Sequence, residues 1–503
     1  MIAVSLMPRS TADALDALAR LKSVLNSFSS VQSGIRNPKS EISVELRLDS
    51  MRECGLERLL AAAPCPVIAT FRPRREGGLY GGPEEPRLET LRRAARLGAA
   101  YIDIEQDAME ALGDVRPAKR IVSYHNFRET PADLADLHAR LAGLGADVVK
   151  IAVTARHILD CAAVLRLLRD ARTPTIALAM GERGVLTRLL APKFGSFLTY
   201  ASFGDGSPEA GPGQIPLDEM LRLYRVHRIG RATRVYGVIA DPVAHSLSPA
   251  IHNAAFAALD LDAVYVPLWV EGDAARFVQA MREFEFDGYS VTIPHKQKVM
   301  EAMDDLAPLA RRVGAMNTVV RRTDGSLFGT NTDISAAVAS IEAVVGRGWL
   351  RGKRTLLLGA GGLGRAIAFA LADSGAHLTI TDVDLPRAEA LAREVGAVAV
   401  RSAFRVPHSE LLLNCTPVGM HPDVNASPVP AEMLRKEMVV YDAVYNPAET
   451  KLLRDARAAG CRTVAGLDHF VRQAVEQFEL WTGQPAPVDT MRRVVLEALG
   501  RNT

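Results

Sequence analysis

Eight short β-rich runs, parted by helical stretches, recur at near-even intervals through the first 203 residues, and nothing else in the chain constrains its fold so tightly. They occupy residues 1–7, 41–48, 66–72, 100–105, 120–125, 147–153, 174–180 and 197–203. Leu and Ala at helical spacing fill the gaps, most clearly at 131–144, which opens after Pro131, and at 156–169. Eight strand–helix repeats over this span predict a (β/α)8 TIM barrel, a fold of ~250 residues. An open doubly wound sheet is the alternative, because periodicity alone does not separate closure from openness.

Polar residues gather where these strands end. Glu45, Arg47 and Asp49 end the second run, and Arg72 and Glu76 follow the third. Asp103 and Glu105 end the fourth, His125 the fifth and Lys150 the sixth. In a barrel these ends converge on one mouth, where active sites form. Taken singly, each is also readable as a solvated loop charge. Acid, imidazole and amine at one depth on different strands favour a site. A free lysine has a pKa of ~10.4 and is a poor nucleophile at neutrality. Neighbouring cations such as Arg188 or Arg47, together with partial burial, are expected to favour neutral Lys150. His125 can shuttle protons, Glu76 can fix its tautomer, and arginines suit a substrate carboxylate.

The 503 residues suffice for two to four domains of ~100–200 residues each. Basic and acidic residues nearly balance, 60 against 58, which argues against nucleic acid or a charged membrane surface as partner. Cys54, Cys65, Cys161, Cys415 and Cys461 are scattered without metal-ligand spacing, so no metal is expected and the thiols read as reduced. Residues 1–8 read as a first strand, not a targeting segment, and no apolar run is long enough for a bilayer. A cytoplasmic protein without membrane association is expected.

Gly- and Pro-rich sequence at 204–213 and a basic helix at 216–228 close the first part, with a boundary near residue 230. A new alternation follows: strands 234–240, 263–268 and 287–293, helices 248–259 and 272–283, and a hairpin of 316–322 and 326–331 turned at Asp324-Gly325. The strand from Arg354 then runs through Gly359, Gly361, Gly362 and Gly364 into a helix, the strand–loop–helix setting that G-x-G-x-x-G requires. These glycines would let a pyrophosphate approach a helix N-terminus, and Asp382, ending the next strand, stands where an acid bonds the ribose diol of NAD.

Five segments of the first part are similar to type I 3-dehydroquinate dehydratase and follow that family's order. They are Glu45-Leu46-Arg47-Leu48-Asp49, Phe71 to Gly78, Ser123-Tyr124-His125-Asn126-Phe127, Val149-Lys150 and Gly211-Pro212-Gly213-Gln214. The resemblance implies that Lys150 forms a Schiff base with the C3 ketone of 3-dehydroquinate, while His125, held by Glu76, moves the C2 proton. Arg188, Gln214, Glu45, Arg47 and Arg72 would complete the substrate pocket. One departure is Ala210, where the family usually has serine; one lost neutral hydrogen bond costs about 1 kcal/mol, and Ser207 lies nearby.

The remaining length resembles shikimate dehydrogenase. The carriers are His245-Ser246-Leu247-Ser248-Pro249, Val291 to Lys296, Gly314 to Thr318, Asn331-Thr332-Asp333, Gly359 to Gly364, Asn414-Cys415-Thr416-Pro417 and Gln473. By that likeness Lys296 and Asp333 are a catalytic dyad handling the proton of the substrate C3 oxygen. Ser246 and Ser248 would hold the carboxylate; Thr292, Asn317 and Gln473 the ring hydroxyls; Asn414 and Thr416 the cofactor side. The family often carries Asn-Arg-Thr where this chain has Asp382-Val383-Asp384, so NAD is favoured over NADP, with Arg387 and Arg365 as groups that could restore NADP binding. Ala336-Ala337 replace a usual glycine, with little expected consequence. His469-Phe470 stand in place of Met-Leu, ahead of the terminal helix on the nicotinamide side.

The expected organisation is therefore a dehydratase barrel at 1–230, a shikimate-binding domain at 231–337, a Rossmann domain at 338–470 and returning helices at 471–503. The leading reading is a bifunctional shikimate-pathway enzyme acting on 3-dehydroquinate, 3-dehydroshikimate and shikimate; a homodimer is compatible with it. The alternatives are a quinate/shikimate dehydrogenase running oxidatively with NAD, and a non-catalytic metabolite sensor. Retention of Lys150, His125, Lys296 and Asp333 weighs against the sensor.

Overall fold

The computed structural model describes residues 1–31, 41–204, 211–244, 246–402 and 409–500. Ser207, Ala210 and His245 lie outside the described residues. Two compact units are distinguishable: Met1–Arg234 with Asp262–Glu271, and Val235–Leu261 with Gly272–Thr503.

The first is built on parallel strands β1 (Ile2–Leu6), β2 (Ile42–Arg47), β3 (Val67–Thr70), β4 (Tyr101–Glu105), β5 (Lys119–His125), β6 (Val148–Thr154), β7 (Thr175–Met180) and β8 (Thr199–Ser202), with a short β9 (Ile215–Pro216) beyond. The sheet order is β7-β6-β5-β4-β3-β2-β1-β8-β9, so the first strand neighbours both the second and the eighth. Just ahead of β8, Phe197 N–H donates to Thr175 O at the head of β7, 2.7 Å away. The sheet thus curls into a barrel, and the open alternative falls.

Strands rich in Ile, Val and Ala suit burial on both faces. Ala3, Ile68, Ile121, Val148 and Ile176 fill the interior, each large side chain contributing about 1.5–3 kcal/mol on burial. Toward the C-terminal ends the interior turns polar. Register sets Ser5 beside Glu45, Thr70 beside Asp103, and Ser123 beside both Glu105 and Lys150. The basic helix expected at 216–228 is broken: a helix at Leu217–Arg222 and a 3-10 turn at Val226–Arg228 flank Arg225, which adopts a left-handed φ of 51°.

Two further sheets follow. The strands β10 (Arg234–Ala240), β12 (Gly288–Val291), β13 (Asp305–Leu306), β14 (Thr318–Arg321) and β15 (Leu327–Thr330) form a mixed sheet in the order β10-β12-β14-β15-β13, and β11 (Ala263–Trp269) lies in the second segment of the first unit. The hairpin of β14 and β15 turns where expected, with Gly325 at φ 85°. The last sheet, β16 (Arg354–Leu358), β17 (His377–Thr381), β18 (Val398–Ala399), β19 (Leu411–Asn414), β20 (Val439–Asp442) and β21 (Arg462–Val464), is parallel in the order β18-β17-β16-β19-β20-β21. That is the doubly wound dinucleotide-binding order, whose switch point lies between β16 and β19.

Helix Gly466–Thr482 starts hard against the end of the last sheet, where a Cβ on Gly466 would come 2.4 Å from Val444 O. Its far end joins the mixed sheet: Trp481 Nε1 donates to Val319 O at 2.9 Å, and Gln477 Nε2 to Thr318 Oγ1 at 3.0 Å. His469 and Phe470 are therefore inside this helix and not ahead of it, a correction that follows from the glycine setting its start.

Two candidate active sites

In the barrel, β6 carries Lys150 inward. Its Nζ lies 2.7 Å from Asp103 Oδ2 and 3.5 Å from Glu45 Oε1, and 4.4 Å from the centre of the Tyr200 ring. Arg72 joins Asp103 Oδ1 at 2.7 Å to Glu105 Oε1 at 2.6 Å and also donates to Ser123 Oγ. Fully buried Arg87 reaches Glu105 Oε2 at 2.8 Å. Buried charges persist only when paired in this way. Arg47 grips Asp49 through two bonds of 2.9 and 2.8 Å, and Asp49 also accepts the backbone N–H groups of Arg72 and Leu79.

This pairing overturns the expectation that cations keep Lys150 neutral. Burial alone pulls the amine down, but Asp103, then Tyr200 and Glu45, outweigh it and hold Lys150 above the usual lysine range. The arginines cannot oppose them strongly, because Arg47 and Arg72 are each committed to carboxylates.

Across one ladder from β6, His125 Nδ1 meets Glu76 Oε2 at 3.1 Å, and the same oxygen accepts the His125 backbone N–H. Burial, joined by the charges of Arg72 and Lys150, holds the imidazole well below its ordinary range. Burial pushes the Glu76 carboxyl up to about 7. Phe127 stacks on His125, 6.0 Å between centroids. Gly77, at φ 75°, leaves room for that ring: a Cβ there would lie 2.2 Å from Phe127 Cζ. Buried Arg188 donates to Pro212 O at 3.1 Å. Gln214 Nε2 faces Ser5 Oγ at 3.4 Å, and its buried Oε1 has no hydrogen-bond partner among the described residues.

The second site lies where the mixed sheet meets the dinucleotide-binding sheet. Lys296 Nζ is 2.5 Å from Asp333 Oδ2, and His469 Nε2 is 3.3 Å from Asp333 Oδ1. Burial would raise Asp333, yet the charge of Lys296 and the contacts with His469 hold it well below the usual carboxylate range. The Lys296 stem rests on the glycine loop: a Cβ on Gly362 would sit 3.4 Å from Lys296 Cβ. Ser248 opens helix Ser248–Ala258, its N–H facing Ser246 Oγ at 3.3 Å, and Thr292 is half-buried just after β12.

Asn317 is largely committed within the protein. Its Nδ2 donates to Thr332 Oγ1 at 3.0 Å, and its Oδ1 accepts from Thr332 N and Thr318 Oγ1. Gln473 donates to Phe470 O. Asn414 donates to Val418 O and Asp442 and accepts from Thr416, which shapes the loop after β19.

The glycine loop fits a dinucleotide. Gly359 is at φ 97°, a Cβ on Gly364 would fall 1.9 Å from Gly359 O, and a Cβ on Gly361 would meet nothing within 4 Å. Open space over Gly361, ahead of helix Gly362–Asp373, is what a pyrophosphate needs. Asp382 Oδ2 accepts Ala360 N–H at 2.6 Å, while Oδ1 accepts from Asp384 N and from Arg387 Nη2 at 2.7 Å. Arg365, expected as a possible phosphate partner, is turned away: it forms two bonds to Glu394 and one to Val313 O. Among the described residues no group of three or more His, Cys, Asp or Glu side chains could hold a metal ion, and no helix is long and apolar enough to cross a membrane.

Sequence reasoning brought Lys150, His125 and Glu76 together, and likewise Lys296 and Asp333. It gave Asp103 no role, although alternation along Tyr101-Ile102-Asp103-Ile104-Glu105 places both acids on one face. Arg87, Tyr200 and the contact of His469 with Asp333 went unseen; Arg87 shares a helix face with buried Leu91, which was a usable signal.

Residues 36–231 match the family described as Type I 3-dehydroquinase, 238–319 the Shikimate dehydrogenase substrate binding domain and 466–496 the Shikimate 5'-dehydrogenase C-terminal domain. Over 472 residues, 88% of this chain and 78% of the relative, the sequence is 40% identical to the Bifunctional 3-dehydroquinate dehydratase/shikimate dehydrogenase, chloroplastic, of Arabidopsis thaliana. It is also 40% identical over 280 residues, 53% of this chain and 99% of the relative, to the Shikimate dehydrogenase (NADP(+)) of Methanosarcina acetivorans. A crystal structure of a shikimate dehydrogenase in complex with NADP+ aligns over 54% of this chain and 97% of its own, at a TM-score of 0.51 and 34% identity. A lyase barrel is thus joined to a Rossmann-type oxidoreductase. The chain belongs to the family of bifunctional 3-dehydroquinate dehydratase/shikimate dehydrogenases.

Proposed function

We propose that Lys150 and His125 dehydrate 3-dehydroquinate, and that Lys296 and Asp333 serve the reduction of the product to shikimate. The division of labour follows the expected segments 1–230, 231–337, 338–470 and 471–503. What carries the reading is that each site buries one lysine amine against an aspartate beside the groups its chemistry needs: Lys150 with Asp103 at 2.7 Å, and Lys296 with Asp333 at 2.5 Å.

In the barrel, Arg188 supplies positive charge for the substrate carboxylate, while Arg47 and Arg72, each paired with carboxylates, line the pocket for its hydroxyls with Glu45 and Gln214. Lys150 reacts as the unprotonated amine, its proton ending on the hydroxyl lost from C3, while His125, which burial keeps neutral, stays available as the base. The amine lone pair adds to the C3 carbonyl, and loss of water gives the iminium. The iminium withdraws electrons from C2, whose proton passes to His125. The electron pair then expels the C1 hydroxyl, which leaves as water on taking a proton from His125. Hydrolysis of the imine releases 3-dehydroshikimate and restores the amine. Glu76 holds the imidazole in register throughout.

In the second site, Ser246 and Ser248 bind the carboxylate, and Thr292, Asn317 and Gln473 orient the ring. The nicotinamide dinucleotide, held by Gly359, Gly361, Gly362 and Gly364 with Asn414 and Thr416 shaping the opposite loop, supplies hydride when bound. Lys296 gives a proton to the carbonyl oxygen as it becomes a hydroxyl, and Asp333 keeps the amine aimed. Asp382 and Asp384 set negative charge where a 2′-phosphate would lie, and Arg387 is held by Asp382. That arrangement favours NAD, although the Methanosarcina acetivorans relative is named for NADP(+). Five free thiols support a reducing compartment such as the cytoplasm.

The test is conversion of 3-dehydroquinate to shikimate by the single chain. K296M should accumulate 3-dehydroshikimate, and K150M should leave 3-dehydroquinate untouched while still reducing added 3-dehydroshikimate. Full conversion by either variant would overturn the reading for that site.

A further inference from the structure

We propose that His469 is a positioning residue of the dehydrogenase site, holding the Asp333 carboxylate so that Oδ2 faces Lys296. The inference rests on the reading of Lys296 and Asp333 as the proton-handling pair, and adds a third member to it. Asp333 heads helix Asp333–Val345, and its carboxylate is held by side chains on opposite oxygens: Lys296 on Oδ2 and His469 on Oδ1. The terminal torsion of an aspartate is soft and roughly two-fold. One donor on one oxygen therefore leaves the carboxylate plane free to turn; a second donor on the other oxygen fixes it.

The ring is placed to do this and little else. A carboxylate only accepts, so Nε2 must carry the proton that faces Asp333. His469 is 5% exposed, Tyr441 meets its ring edge-on at 6.1 Å, and Nδ1 has no hydrogen-bond partner among the described residues. The Asp333 contact is the one hydrogen bond of this side chain among the described residues. Its helix is fixed at one end by the close approach of Gly466 to Val444 O and at the other by Trp481 on Val319 O, so the imidazole is carried on a rigid element. A separation of 3.3 Å leaves room for the bond to tighten when substrate binds.

The experiment compares H469M, which keeps side-chain bulk and removes the donor, with H469Q, whose amide nitrogen can occupy the Nε2 position. Both are measured in the full chain with shikimate and NAD or NADP, alongside K296M. H469M should lower kcat about tenfold with the KM for shikimate changed by less than about twofold, because Asp333 acts after substrate is in place. H469Q should recover to within about threefold of the parent. Parental kcat in H469M, or a rate in H469Q as low as in H469M, would overturn the inference. An active K296M would instead sink the underlying reading of the dyad, so the two failures are distinguishable.

Discussion

Each site buries a lysine against an aspartate, and the two pairs differ in everything around them. Lys150 projects from the middle of a barrel strand into a cage of Asp103, Glu45 and Arg72, with Tyr200 beneath its amine. Lys296 stands in a turn between β12 and a 3-10 helix, with Asp333 as its carboxylate and a glycine loop against its stem. A nucleophile must lose its proton, make a bond and be released, which requires a densely charged setting that can follow a changing charge on nitrogen. A proton relay makes no bond to carbon, so one carboxylate partner and access to the cofactor loop suffice. What separates an imine-forming lysine from a relay lysine is the surroundings and not the amine.

If that contrast holds, removing the two amines should have unequal effects. K150M is expected to lower dehydratase kcat by at least about 10⁴-fold, since the bond-forming group itself is lost, with the dehydrogenase unchanged; single-turnover assays check it. K296M should lower dehydrogenase kcat by about 10³-fold, the scale of general acid–base catalysis, leaving the dehydratase intact in the same preparation.

The Glu76–His125 pair sharpens the barrel side. With its carboxyl pushed up to about 7, Glu76 is protonated below that pH and charged above it. Dehydratase kcat/KM should therefore fall as pH drops through about 7, and E76Q should be about 10²-fold slower with that acid limb gone. A pH–rate profile of the two proteins decides this. The smallest effect concerns the cofactor. D382N should raise kcat/KM with NADP relative to NAD by about tenfold, or ~1.4 kcal/mol, measured with each dinucleotide.

The contrast was only partly legible in the sequence. Strand-end placement of His125 followed from eight repeats, and the glycine loop with Asp382 marked a cofactor side, because these signals are local; Lys150, expected at a strand end, lies mid-strand in β6, because the strand runs on to Thr154. Closure of the barrel was not local: it needed the pairing of β1 with β8, which periodicity cannot encode. The state of Lys150 was misjudged for the same reason. Arg47 and Arg188 were weighed as bare cations, whereas the fold neutralises Arg47 with Asp49 and brings Asp103, 47 residues away in the chain, to the amine. His469 reaches Asp333 across 136 residues, and only the path of helix Gly466–Thr482 reveals it.

Borohydride reduction of the full chain in the presence of 3-dehydroquinate, followed by peptide mapping, tests the distinction between the two lysines most directly. Loss of dehydratase activity with one stable adduct, on Lys150 and not on Lys296, is the expected result. An adduct on any other lysine, or no adduct from an enzyme that turns over at full rate, would contradict it.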